Sequence, residues 1–375
     1  MKIAIITETF LPSTDGVVTR LKACIRYFLR EGHDVRVIAP DLGVYEFEGA
    51  KIDGLPATTL PFYRSKKFAL PNRNVKDLLL NYNPDVVHVV NPAILGASGV
   101  YYADKLGYPM IASYHTNVAK YLDYYKLSPF KGLIWWYFRK LHNKAELNLC
   151  TSNTVKGELE QHGIERVHVW KRGVDTELFH PNKYDREMRD RLTNNQSDKR
   201  LLLYVGRLAA EKEIEKIRSV LERSDDFVLG IVGDGPHRKT LENHFKGTNT
   251  VFTGLLHGEE LAAAFASSDV FVFPSTTETL GLVISEAMAS GLPLVAAESG
   301  PTCEQIRDNH NGLLYDSTKA GDFTETVLKF EDETLRKRLA KAAHEEIADL
   351  GWDSQSGQVL SYYKEIANTQ KKKVM

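Results

Sequence analysis

Two kinds of apolar pattern alternate along the first half of this chain. Short unbroken runs at Ile3–Ile6, Val35–Ala39, Val86–Val90, Met110–Ser113 and Leu147–Thr151 have no sustained polar face, which fits strands buried on both sides. Between them lie segments of helical period, the clearest being Val17–Arg30, closed by Gly32. Strands alternating with helices predict a parallel sheet covered on both faces. The same grammar restarts near Leu201, with strands expected at Leu201–Val205, Phe227–Val232, Val270–Phe273 and Leu294–Ala297. From Gly173 to about Arg189 the chain is polar and irregular, then strongly charged, and reads as a linker. The expectation is an α/β protein of two Rossmann-like, doubly wound domains, 1–180 and 181–354, with a further helix at Gln358–Ala367.

Composition narrows the class. Of 375 residues, 43% are apolar, enough for two cores, and 26% are charged. Lys and Arg total 48 against 49 Asp and Glu, so no global nucleic-acid footprint is present and no nucleic-acid partner is expected. Cys24, Cys150 and Cys303 stand far apart without metal or redox spacing, which suits a reducing, cytoplasmic compartment. The opening Met1–Ile6 is too short for a signal peptide and reads as a strand. No stretch approaches the roughly 20 apolar residues of a membrane span, so work on lipid is expected from the membrane surface. Lys371-Lys372-Lys373 reads as a solvated tail.

In doubly wound sheets ligands bind beyond the carboxyl ends of the strands, and the chemistry-bearing residues follow strands here. After the first comes Thr7 to Gly16, where Gly16 either admits a phosphate to the helix N-terminus or simply starts the helix. It is not the Gly-x-Gly-x-x-Gly of dinucleotide enzymes. After Val205 comes Gly206-Arg207-Leu208-Ala209-Ala210-Glu211-Lys212, whose two cations can clamp a diphosphate or be ordinary surface charges. Phe273-Pro274 opens a polar loop leading to a helix near Leu280, with Glu278 before it and Glu286 in its apolar middle. A buried carboxylate there needs polar partners: ribose hydroxyls, or a structural salt bridge. Gly233-Asp234-Gly235-Pro236 forms a tight turn on the same rim, and Ser113-Tyr114-His115-Thr116 follows a strand of the first half. Tyr121 to Lys144 mixes aromatics with cations, fitting either a membrane interface or a helix packed on its own domain. No Asp-x-Asp pair occurs, so no protein-bound metal is expected and Mg2+ is left at most a stimulant.

These motifs, in this order, resemble the family 4 retaining glycosyltransferases of GT-B fold, whose two domains face each other across a cleft. The matches run through Gly16, His115, Gly173-Val174-Asp175, Gly206-Arg207 with Lys212, Gly233-Asp234-Gly235-Pro236, and Glu278 with Glu286. The resemblance implies an acceptor-binding first domain, on which a helix at about 355–371 packs back, and a second domain binding a nucleotide-sugar donor. It implies that Arg207 and Lys212 hold the donor diphosphate, with Gly16 and Gly233 also on the donor. Glu286 is placed on the ribose. Glu278 and the amides of Thr279, Leu280, Gly281 and Leu282 hold the transferred sugar and phosphates. His115 faces the sugar, so His115 and Glu278 are the catalytic candidates. Two departures stand out: Asp15-Gly16 replaces paired glycines, and Gly300-Pro301-Thr302-Cys303-Glu304 replaces Gly-Gly-x-x-Glu.

Within the family, Thr7–Lys22, Ala112–Thr116, Trp170–Pro181, Tyr204–Glu213 and Pro274–Val283 are similar to the sulfolipid-forming members of cyanobacteria and plastids. That likeness implies UDP-sulfoquinovose as donor substrate, diacylglycerol as acceptor at a membrane surface, and no permanently bound cofactor. Lys171-Arg172 stands where many relatives have Pro-Asn, making Arg172 and Arg20 the candidates for pairing with a sulfonate. Rival readings are a lipid glucosyl- or mannosyltransferase using UDP-glucose or GDP-mannose, a nucleotide-sugar epimerase, and a non-enzymatic binding module.

Overall fold

The computed structural model describes residues 1–60, 63–116, 128–278 and 281–374, excepting the side chains of 60, 63–66, 128 and 370–374. The chain divides into two compact units, Met1–Arg172 with Trp352–Met375, and Gly173–Gly351. The break thus falls at Arg172, ahead of the expected 180, because Val174 and Phe179 are buried in the second unit's core. The final helix, Trp352–Val374, is longer than expected and belongs to the first unit.

In the first unit, strands β1 (Lys2–Thr7), β2 (Asp34–Pro40), β3 (Glu46–Phe47), β4 (Ala50–Leu55), β7 (Val86–Val90), β8 (Met110–Tyr114), β9 (Leu147–Cys150) and β10 (Val167–Val169) build one sheet. Its order is β10-β9-β8-β7-β1-β2-β4-β3, and β5 (Ala57–Leu60) pairs separately with β6 (Tyr63–Ala69). All neighbours in the large sheet are parallel except β3 with β4. Its two faces show why the strands read as continuous apolar runs. Ile3 and Ile5 enter one core with Val35, Phe28 and Val359, while Ala4 and Ile6 enter the other with Val87 and Leu95.

The second unit repeats the scheme with β11 (Arg200–Val205), β12 (Phe227–Val232), β13 (Thr250–Gly254), β14 (Val270–Phe273), β15 (Leu294–Ala297) and β16 (Leu313–Tyr315). The order is β13-β12-β11-β14-β15-β16, all parallel. Leu201 and Leu203 face one core and Leu202 and Tyr204 the other. In both sheets the strand order reverses beside the first strand, β1 next to β7 and β11 next to β14. Loops leaving neighbouring strands there diverge to opposite faces and open a crevice for a ligand.

Candidate active site

In the second unit the loops after β11 and β12 converge because glycine lets their backbones touch, and the loop after β14 joins the first of them through side chains. Gly206 has φ +156 and Gly233 φ +139, and a Cβ on Gly233 would stand 2.0 Å from the Gly206 carbonyl oxygen. That approach fixes the loop carrying Arg207. The Arg207 guanidinium pairs with Glu211, a buried carboxylate one turn along. A single 3-10 turn, Ala210–Lys212, then places the Lys212 ammonium 2.9 Å from a Glu278 carboxylate oxygen. Both side chains are largely withdrawn from solvent, at 12% and 20% exposure, so their attraction is weakly screened.

The helix expected near Leu280 begins at Leu282, with Gly281 as its left-handed N-cap at φ +66. The N-cap glycine supplies no side-chain cap of its own, and the amides and dipole of such a first turn suit an anion. Thr279 and Leu280 lie outside the described residues. Within the helix, Leu282–Ala289, the neighbours Ile284, Ser285, Ala287 and Met288 are all buried, while Glu286 is partly so. Burial raises the Glu286 carboxyl to about 7, and among the described residues it has no salt-bridge partner. The capping box of Ser299 with Thr302 opens the short helix Gly300–Cys303, so the departure from Gly-Gly-x-x-Glu keeps a defined turn.

In the first unit Asp15 caps the helix Gly16–Arg30, its carboxylate accepting from the Val18 amide at 3.2 Å. Arg20, on that helix, is 1% exposed. Its Nη2 donates to the carbonyls of Trp170 at 2.8 Å and Lys171 at 2.6 Å, and its guanidinium lies 4.3 Å from the Trp170 ring centroid. Arg20 therefore braces the segment that ends in Arg172, which is only partly buried. His115 follows β8; its amide donates to Asn91 Oδ1 at 2.7 Å and its ring packs on Trp170. Burial, with Arg20 and His88 nearby, holds its imidazole well below the usual range and therefore neutral.

The first unit thus gathers Arg20, Trp170 and His115, and the second gathers Arg207, Lys212, Gly233, Glu278 and Gly281. Sequence reasoning missed three supporting groups. Glu211 sits four residues after Arg207, a spacing that announces a helical-turn ion pair. Glu8 accepts from the amides of Ala93, Ile94, Leu95 and Gly96 at 2.7–3.1 Å, capping the helix Leu95–Leu106. His88, alone among the valines of β7, is buried and hydrogen-bonded. Among the described residues no three metal-ligating side chains gather.

Residues 14–178 match Glycosyltransferase Family 4, and residues 185–346 match Glycosyl transferases group 1. A GDP-mannose-dependent alpha-mannosyltransferase of Corynebacterium glutamicum is 35% identical over 375 residues, covering 98% of this chain and 89% of its own. The chain belongs to glycosyltransferase family 4.

Other relatives of this family 4 chain differ in what they are named for. The sulfoquinovosyl transferase of Arabidopsis thaliana is 36% identical over 347 residues, 90% of this chain and 68% of its own. An alpha-monoglucosyldiacylglycerol synthase of Streptococcus pneumoniae is 26% identical, over 92% of this chain and 83% of its own. Among solved structures, Anabaena HepE in complex with UDP and glucose superposes with a TM-score of 0.80 at 17% identity, covering 97% of this chain and 100% of its own. This likeness shows the fold, GT-B. The family 4 chain is a retaining glycosyltransferase.

Proposed function

We propose that the enzyme transfers sulfoquinovose from UDP-sulfoquinovose to diacylglycerol at a membrane surface. The observation that carries the transfer reading is the 2.9 Å pair of Lys212 with Glu278. A nucleotide sugar joins a diphosphate to a hexose through one oxygen. The pair puts a cation suited to the diphosphate beside a carboxylate suited to the sugar hydroxyls. Glu286, a carboxylate with no salt-bridge partner among the described residues, is a ready acceptor for the ribose hydroxyls. Arg207, Lys212 and the helix turn that opens at Gly281 and Leu282 stabilise the diphosphate as it departs. In that step the bond from the anomeric carbon to the diphosphate oxygen breaks. The acceptor oxygen bonds to the same face of the sugar, and its proton leaves with the diphosphate. His115 faces the sugar as a neutral imidazole, and no residue is assigned as a nucleophile.

The lipid acceptor draws support from the helix Lys131–His142. Trp135 and Phe138 are buried against Tyr114, while Leu133 and Trp136 stand out at 59% and 49% exposure beside exposed Arg139 and Lys140. An apolar pair with cations on one exposed face suits an anionic bilayer surface. Tyr121, Tyr124 and Tyr125 of the same aromatic segment lie outside the described residues. No described helix is long and apolar enough to cross a membrane.

For the donor, Arg172 is the sulfonate partner and Arg20 its brace, since the Arg20 guanidinium is enclosed while Arg172 reaches the surface. A second reading, GDP-mannose as donor, is favoured by the end-to-end match to the Corynebacterium mannosyltransferase. The two separate on Arg172→Ala. The sulfoquinovosyl reading expects kcat/KM for UDP-sulfoquinovose to fall at least tenfold, the scale of one charged hydrogen bond, with residual UDP-glucose transfer kept. Equal loss for both donors removes Arg172 from the sulfonate, and turnover of GDP-mannose alone selects the second reading.

A further inference from the structure

Three neighbouring strands of the first sheet end almost level. Thr7 of β1 pairs with Val90 of β7, and Val90 pairs with Ser113 of β8. The next residues in that register are Glu8, Asn91 and Tyr114, with His115 one further on. Loops at this edge carry the chemistry in doubly wound sheets. Whatever ties these loops together therefore fixes where His115 sits.

Asn91 makes that tie. Its own amide donates to the Ser113 carbonyl at 2.8 Å, extending the ladder one step past β7. Its side chain then reaches across to the next loop. Oδ1 accepts the His115 amide at 2.7 Å, and Nδ2 donates to Thr116 Oγ1 at 3.3 Å. A backbone N–H only donates, so His115 itself settles which way the Asn91 amide faces. Asn91 also adopts φ +51, in the left-handed region, although Pro92 follows and the residue before a proline favours extended backbone. Such a conformation persists where the surroundings hold it. Here they hold it from the far side. The buried Glu8 carboxylate accepts the amides of Ala93, Ile94, Leu95 and Gly96 at 2.7–3.1 Å, and the Tyr137 hydroxyl donates to the Ala93 carbonyl at 2.7 Å. The segment is clamped, and Asn91 passes its rigidity to the backbone of His115.

We propose that Asn91 is a positioning residue for the transfer reaction: it pins the backbone of His115 and Thr116 so that the imidazole meets the sugar in one pose. The inference rests on the reading above that His115 faces the transferred sugar. Small displacements of a group at the reacting centre are costly in rate. The effect therefore belongs to kcat, while donor KM reflects the cations and amides of the second unit.

Two variants test it in the full chain. Asn91→Gly accepts the positive φ and deletes both side-chain hydrogen bonds. Asn91→Asp keeps the shape and the tolerance of positive φ, and its oxygens accept from the His115 amide and the Thr116 hydroxyl. Amide hydrogen exchange reads the tie directly. The His115 amide is expected to be protected in wild type and Asn91→Asp, and to exchange at least tenfold faster in Asn91→Gly. Initial rates are taken with UDP-sulfoquinovose and diacylglycerol in phosphatidylcholine vesicles. GDP-mannose replaces that donor if wild type does not turn it over, so a wrong donor does not decide the question. Asn91→Gly should lower kcat about tenfold, the scale of the hydrogen bonds lost, with donor KM within about twofold, and Asn91→Asp should recover most of the loss. In a His115→Ala background, where the imidazole is gone and the backbone amide kept, Asn91→Gly should add no further loss. An equal loss in both backgrounds means that Asn91 acts on the fold at large and overturns the proposal, as does unchanged His115 protection in Asn91→Gly. Wild-type rates in His115→Ala overturn the placement of His115, and this proposal with it. Loss in His115→Ala beside full kcat in Asn91→Gly overturns the proposal alone.

Discussion

At the scale of single residues, Glu286, proposed above as the acceptor for the ribose hydroxyls, is a carboxyl held at a cost to the fold. Its carboxyl is raised to about 7 by burial in an apolar helix. An acid with a folded value above its unfolded value destabilises the fold progressively as pH rises from about 4.5 through 7. Glu286→Gln should therefore stabilise the empty protein by up to about 3 kcal/mol at pH 8, and little at pH 4.5, read as melting temperature at the two pH values. The same variant should raise donor KM, because the ionised carboxylate is the better acceptor for two ribose hydroxyls. Equal melting-temperature shifts at both pH values would refute the burial argument. The need of Glu286 for a partner was legible from sequence, since charged residues are rare in apolar helices. The engagement of Arg20 with two carbonyls was not, because the acceptors lie 150 and 151 residues away.

At the scale of elements, what was legible depended on position in the sheet. The central strands β1, β7, β11, β12 and β14 are apolar on both faces, and their runs announce them. The edges did not. In β13 every residue is half-buried, β10 and β16 are three residues each, β5 is four, and β3, β4 and β6 mix charges with apolar positions. Strands covered on one side or trimmed short carry too little hydrophobic signal to stand out. Local turn chemistry was more informative. Gly233 sits where a side chain would collide with the Gly206 carbonyl, and it couples the ends of β11 and β12. Gly233→Ala should cost about 1–3 kcal/mol in stability and raise donor KM by displacing Arg207, measured by denaturant unfolding and initial rates. A variant of full stability and unchanged KM would mean that the loops tolerate separation.

At the scale of the whole molecule, the two-unit plan followed from the restart of the strand–helix grammar at Leu201, and family membership followed from motifs at strand ends. The boundary did not follow so well. A polar, irregular stretch reads as a linker, but Val174 and Phe179 within it are core residues of the second unit. The return of the last helix places Tyr363 against His88, a contact across 275 residues that no local pattern encodes. What sequence and fold leave to chemistry is the identity of the donor, because relatives of similar likeness are named for different sugars.

The central claim is best tested with a donor panel on the purified protein and diacylglycerol vesicles, following nucleotide release and the lipid product together. The donors are UDP-sulfoquinovose, UDP-glucose, UDP-galactose and GDP-mannose. The account predicts nucleotide release with the sulfonated donor only when diacylglycerol is present, matched by one sulfoquinovosyl lipid per nucleotide. Glycolipid from a neutral donor alone, or nucleotide release without any lipid product, would contradict it.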